Sequence, residues 1–235
     1  MKSDTINPFP HLNSSHDKVA LIDGELTCTY ATLDKRIHQL ATGLLHDRHD
    51  LAEERVAFIM PASLDYVTTL FGIWRAGGIA VPLNVAAALP ELEYALTSAG
   101  VTRLIAAPAD HGRLVELCAK CKIPLLKVGD LLSDSTTHLP ELDPARRAMI
   151  LFTSGTTNKP KGVVSTHHNI RAQITTLIGA WAWEYDDTIP LFLPLHHIHG
   201  IINILCCGLW AGATVSLYPK LDMEIILDEV ARGRY

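Results

Sequence analysis

At 235 residues, 48% of them hydrophobic and 19% charged, the chain is long and apolar enough to bury one large core or two smaller ones. Its formal net charge of −5 makes no positive field that would gather nucleic acid or an anionic bilayer, which sets those partners aside first. Five cysteines, odd in number and scattered through core-like segments, match a reducing compartment and offer no disulfide framework.

Residues 1–18 read as a polar leader without an apolar signal region, and an early acid and prolines argue against an amphipathic transit helix, so the expected location is cytoplasmic. Val19 to Asp23, an Asp23-Gly24 turn and Leu26 to Tyr30 then predict a β-hairpin. Leu33, Ile37, Leu40, Leu44 and Leu45 recur at helical spacing behind it. "RVAFIM" follows as a short apolar strand, and "SLDYVTTLFGIWRAGG" as a helix with Ser63 at its start and Gly77 and Gly78 at its end. The same grammar repeats through "IAVPLN", "LPELEYALTSAG", "VTRLIAAP", Ala109 to Cys121 and "PLLKV". Continuous apolar strands alternating with amphipathic helices predict a parallel sheet covered on both faces.

Residues 129–144, rich in Ser, Thr, Asp and Pro, read as a connector between a first α/β subdomain at 19–144 and a second at 145–235. The second has strand patterns at Ala148 to Thr153, Gly162 to Ser165, Ile189 to Leu193 and Ala213 to Tyr218. Its helices start near Thr166 and Gly200 and from Asp222. The fold class is thus α/β: two βαβ-type subdomains with mainly parallel sheets flanked by helices. A parallel sheet normally continues to another strand after such a last helix, so the chain reads as truncated at its C-terminus. Residues 188–219 carry no Asp, Glu, Lys or Arg, but Pro194, three histidines, Asn203 and three glycines interrupt them, which fits buried core and no membrane span.

The stretch "ILFTSGTTNKPKGVV" sets two glycines, four hydroxyl side chains and two lysines between apolar strands. A glycine-rich turn lets backbone N–H groups converge on an anion, and lysines add charge-assisted hydrogen bonds, so a polyphosphate is the expected ligand. The nucleotide-hydrolase P-loop does not match, because Pro160 stands where its second glycine belongs and the residues after Lys161 are strand-like, not helical. A merely solvated hairpin turn stays open as the alternative on composition alone.

"FTSGTTNKPKGVV" resembles the phosphate-loop signature of the adenylate-forming (AMP-binding) enzymes, the superfamily of acyl-CoA synthetases, luciferases and peptide-synthetase adenylation domains. Asn158 departs from their usual glycine, though Asn tolerates left-handed backbone angles. "LPLHHIHG" at 193–200 resembles their second motif, and "WAWEYDD", "LPLHHIHGIIN" and "LWAGATV" look most like the malonyl- and methylmalonyl-CoA synthetases. The resemblance implies the N-terminal part of the adenylate-forming fold. It implies an acid–CoA ligase that activates a short, malonate-like carboxylic acid with ATP, with Mg2+ and CoA as cofactors. It implies β,γ-phosphate contacts from Thr153, Ser154, Gly155, Thr156, Thr157, Lys159 and Lys161. Lys161 and His197 are the catalytic candidates, His197 bordering the acyl pocket and the α-phosphate.

His196, His197 and His199 lack a nearby Cys or carboxylate to complete a metal site, and no metal is assigned to them. Trp181 and Trp183 read as core or pocket wall, Cys118 and Cys121 as thiols of a helix, and Lys220 as a loop candidate for a second substrate carboxylate. The adenine, ribose, lid and most Mg2+-binding elements of the family do not occur in the chain, so a complementary C-terminal half is an expected partner. The competing reading is a non-catalytic nucleotide- or pyrophosphate-binding protein, or a decayed fragment with a structural or regulatory role.

Overall fold

The computed structural model describes residues 12, 17–135, 137–153 and 159–235. It opens with strands β1 (Val19–Asp23) and β2 (Leu26–Thr29), which form the expected hairpin around Gly24 at φ +60°. Helix α1 (Tyr30–Leu45) follows, then β3 (Arg55–Ile59), α2 (Leu64–Arg75), β4 (Ile79–Pro82), α3 (Leu89–Ser98), β5 (Arg103–Ala106) and α4 (Pro108–Cys121). The expected "PLLKV" strand is only two residues long, β6 (Leu125–Leu126), because the chain turns into a short helix, α5 (Val128–Leu131), that buries Val128 and Leu131. Strands β7 (Arg147–Thr153) and β8 (Lys161–Thr166) lead into α6 (His167–Trp181) and β9 (Thr188–Leu191). A π-helical segment His199–Cys206, α7 (Cys207–Ala211), β10 (Thr214–Leu217) and α8 (Met223–Ala231) complete the order.

The elements fall into two compact units. One comprises Arg36–Pro61 and Asp65–His168 among the described residues, and holds a six-stranded sheet of order β6-β5-β3-β4-β7-β8. Its strands are parallel, with Val56 beside Ala80, Phe58 beside Ile105 and Ala80 beside Met149; only β8 runs antiparallel, to β7. Helices α3 and α4 bury Leu92, Leu96, Leu114 and Leu117 over Ile79 and Leu104 of the sheet, the contiguous core that alternating strands and helices call for. Helix α2 is buried almost all round, and its Trp74 Nε1 donates to the Ala148 carbonyl at 2.7 Å.

The expected 19–144 and 145–235 division is not the one the strands make. The described residues of 129–144 belong to a crossover within one sheet: Ser133 N–H donates to the Gln39 carbonyl of α1, and the chain returns so that β7 pairs with β4. Arg146, just before β7, fixes that return with two bonds to Asp50, at 2.7 and 2.9 Å, and one to the Gly77 carbonyl at 2.7 Å.

The other unit takes in the described residues of 12–35 with Ala62–Leu64 and Asn169–Tyr235. Its sheet has the order β2-β1-β10-β9, in which β1 pairs in parallel with β10, Leu21 beside Val215, and β10 with β9, Thr214 beside Thr188. Tyr30 Oη donates to the Ala213 carbonyl at 2.7 Å, and Leu12, inside the expected polar leader, is buried. Cys28, Cys206 and Cys207 are buried here, as Cys118 is in the first unit, and none of the five cysteines is in a disulfide. No helix among the described residues is long and apolar enough to cross a membrane.

Candidate active site

The phosphate-loop candidates belong to the unit built on β7 and β8. β7 is anchored by Ala148, Met149, Ile150 and Leu151, all buried, whereas Lys161 and Gly162 at the start of β8 are exposed. This contrast follows from the sequence: an apolar run enters the core and a Gly-Lys-rich run leaves it. Thr153 and Lys161 are the last paired residues of the ladder, and Thr153 Oγ1 reaches the Lys161 carbonyl at 3.4 Å. The two ends of the loop are therefore held together. Ser154, Gly155, Thr156, Thr157 and Asn158 lie outside the described residues.

Lys159 lies with its Nζ 5.7 Å from the ring centroid of Tyr94 on α3. Tyr94 Oη donates to the Pro160 carbonyl at 3.1 Å, and its ring meets that of Phe152 edge-on at 6.4 Å. Among the described residues neither Lys159 nor Lys161 forms an ion pair, so both ammonium charges stay available to an anion. Sequence reading missed Tyr94. Its partners lie 58 to 66 residues downstream, and nothing in "LPELEYALTS" marks one aromatic residue as more than a helix side chain.

The histidine candidates belong to the other unit. After β9 the chain turns at Pro194, whose carbonyl accepts from His197 N–H at 3.3 Å, and enters the π-helical segment. Gly200 is required there: a Cβ would meet the Pro194 carbonyl oxygen at 2.9 Å and that of Leu193 at 3.2 Å. π-Helical turns widen the backbone and recur at functional sites. The His196 and His197 rings lie 4.1 Å apart, tilted at 49°, and burial, with the neighbouring His197 second, pushes the His196 imidazole down to about 4, so it is neutral near pH 7. His197 is exposed, open to a ligand.

His199 Nδ1 faces Asn203 Nδ2 at 3.4 Å, Asn203 Oδ1 accepts from Gln173 Nε2 at 2.5 Å, and the His199 ring lies 6.3 Å from that of Trp181. Sequence reading took Asn203 only as an interruption of an apolar run and did not single out Gln173; the signal was a lone amide among Ile and Leu. Trp181 is exposed, and Trp183 packs against Gly208, where a Cβ would meet its ring at 3.4 Å. Lys220 is exposed in the turn between β10 and α8. Among the described residues no three His, Cys, Asp or Glu side chains converge as a metal cage. In Cys118 burial pushes the thiol up to about 11, which suits a core thiol and not a redox pair.

The profile of the AMP-binding enzymes matches residues 10–234. The chain belongs to this family. Among AMP-binding relatives, it is 35% identical over 240 residues to the mitochondrial malonate–CoA ligase ACSF3 of Homo sapiens, covering 97% of this chain and 42% of that protein. The corresponding protein of Bos taurus is 36% identical over 224 residues, covering 91% and 38%. Among solved AMP-binding structures, ATP-bound MatB from Rhodopseudomonas palustris superposes with a TM-score of 0.86 at 28% identity, over 96% of this chain and 48% of that one. The fold is thus that of the N-terminal part of adenylate-forming enzymes. The chain spans about two fifths of the length of these curated relatives and about half of the solved one.

Proposed function

We propose that this chain supplies the phosphate-gripping part of an AMP-forming acid–CoA ligase whose substrate is a short, malonate-like diacid. The observation that carries the reading is the hairpin itself: a Ser-, Thr- and Gly-rich tip closed by the Thr153–Lys161 pair, with two lysines free of ion pairs among the described residues. In the reaction a substrate carboxylate oxygen attacks the α-phosphorus of ATP, the bond to the bridging oxygen breaks, and pyrophosphate leaves with the charge. The thiol sulfur of CoA then attacks the acyl carbon and displaces AMP. Lys159, Lys161 and the hydroxyls of Thr153, Ser154, Thr156 and Thr157 stabilise the charge that develops on the leaving pyrophosphate, because donors fixed in advance need not reorganise as the bond breaks. Gly155 allows the backbone to approach. His197 borders the acyl group and the α-phosphate, and Lys220 is the chain's own candidate for the second carboxylate.

The donor set fits ATP: hydroxyls and ammonium groups with no described carboxylate at the hairpin to repel phosphate. Mg2+, when bound, would supply Lewis acidity on the phosphate oxygens, and in our reading most of its protein ligands would come from a complementary polypeptide. The lack of disulfides accords with a reducing compartment, the cytoplasm in our reading, and fractionation against the mitochondrial matrix decides between them.

The test is malonate-dependent exchange of labelled pyrophosphate into ATP, by the chain alone and mixed with a polypeptide matching the C-terminal three fifths of the malonate–CoA ligase relatives. We expect exchange in the mixture, and Lys161→Ala weakening ATP binding by about 1.5–3 kcal/mol, the scale of a hydrogen bond to a charged group. No exchange in any mixture, with ATP still bound, would leave a non-catalytic nucleotide-binding protein.

A further inference from the structure

We propose that Tyr94, on α3 and outside every motif, is a positioning residue that sets the Lys159–Gly162 arm of the hairpin so that both lysines face the phosphates. The inference rests on the ATP reading above. The ladder between β7 and β8 ends at the Thr153–Lys161 pair, so Pro160 and Lys159 lie beyond it, and Pro160 has no N–H with which to extend it. One side chain takes over. Tyr94 Oη donates to the Pro160 carbonyl at 3.1 Å, between the two lysines in sequence. Its ring lies under Lys159 Nζ at 5.7 Å, within cation–π range, and meets Phe152 on the opposite strand edge-on at 6.4 Å and 69°. Tyr94 thus touches both arms of the loop.

Two features make this contact matter. Leu92, Ala95 and Leu96 bury the opposite face of α3 in the core, so Tyr94 projects from a fixed support. Between α3 and the hairpin lies an open cavity of about 370 Å³, lined by Tyr94, Ser98 and Ala99 on one side and Phe152, Pro160 and Gly162 on the other. The arm borders empty space there, and Tyr94 bridges it. Without the hydroxyl the arm loses its anchor but keeps its aromatic support; without the ring it loses both.

Amide hydrogen exchange on the ligand-free chain, with calorimetric titration of Mg-ATP and of pyrophosphate, separates the possibilities for Tyr94→Phe and Tyr94→Leu. Tyr94→Phe is expected to speed exchange at residues 159, 161 and 162, leave β3 and β4 unchanged, and weaken ATP about fivefold, the scale of one lost hydrogen bond. Tyr94→Leu is expected to weaken it about tenfold or more. Unchanged exchange at the arm, or faster exchange with unchanged ATP affinity, overturns the positioning role. If exchange rises but the unaltered chain binds neither ATP nor pyrophosphate, the nucleotide reading falls and the anchoring by Tyr94 stands.

Discussion

His167, the first residue of α6, is buried with its ring 6.0 Å from that of Trp74 in an edge-on contact. Burial, and then the nearby Arg146 charge, push its imidazole down to about 4. In the unfolded chain it titrates near 6.5. Between those values the unfolded state holds a proton that the folded state refuses. Its contribution is therefore fully present above pH 6.5 and is lost as pH falls towards 4. We expect a loss of about 2 kcal/mol between pH 7 and pH 5, read from urea unfolding by tryptophan fluorescence. His167→Gln should flatten much of that slope, leaving the part from His196, which shifts the same way; equal slopes in the two proteins would refute the assignment. At this scale the sequence told which residues carry charge and where the hairpin would be exposed. It could not tell that His167 is a core side chain, since that depends on Trp74, almost a hundred residues earlier.

At the scale of elements, the apolar strands and amphipathic helices were legible because each writes its own period into the sequence. β6 was overestimated because Leu125, Leu126 and Val128 are equally apolar whether the chain continues as a strand or, as here, turns into α5. The π-helical segment had no readable signature: the close approach of Gly200 to the Leu193 and Pro194 carbonyls at its start is made by the fold and leaves no mark in the local period. The turn between α2 and β4 shows the same dependence on glycine. Gly77 has φ +79°, and a Cβ there would meet Asp50 Oδ1 at 2.1 Å and Arg146 Nη2 at 2.8 Å. Gly77→Ala therefore both strains the backbone and pushes apart the Asp50–Arg146 pair that returns the chain to β7. We expect it to cost about 2 kcal/mol or more, seen as a lower denaturation midpoint. A midpoint within error of the original would show that the pair shifts freely.

For the whole molecule, composition and strand grammar implied two α/β units but assigned their members by position along the chain. The connector at 129–144 looks like a linker because it is polar, and a crossover within one sheet is polar for the same reason. α8 presents Met223, Leu227 and Val230, spaced along one helical stripe and each about half exposed, with Leu221 and Ile225 beside them. An exposed apolar stripe of this kind favours association. We expect concentration-dependent sedimentation and binding of an apolar dye, both reduced by Leu227→Lys; a monomer that binds no dye at high concentration would contradict this. The pairing of β1 with β10 has a further consequence for how the protein comes into being. Thr214 Oγ1 bonds the Val19 carbonyl across 195 residues, so the β1–β2 hairpin must wait for all of that intervening sequence to be made before its neighbour in the sheet arrives. The six-stranded unit, whose residues are complete by His168, can fold before β10 has been synthesised, and the hairpin lacks its sheet neighbour until β10 has emerged.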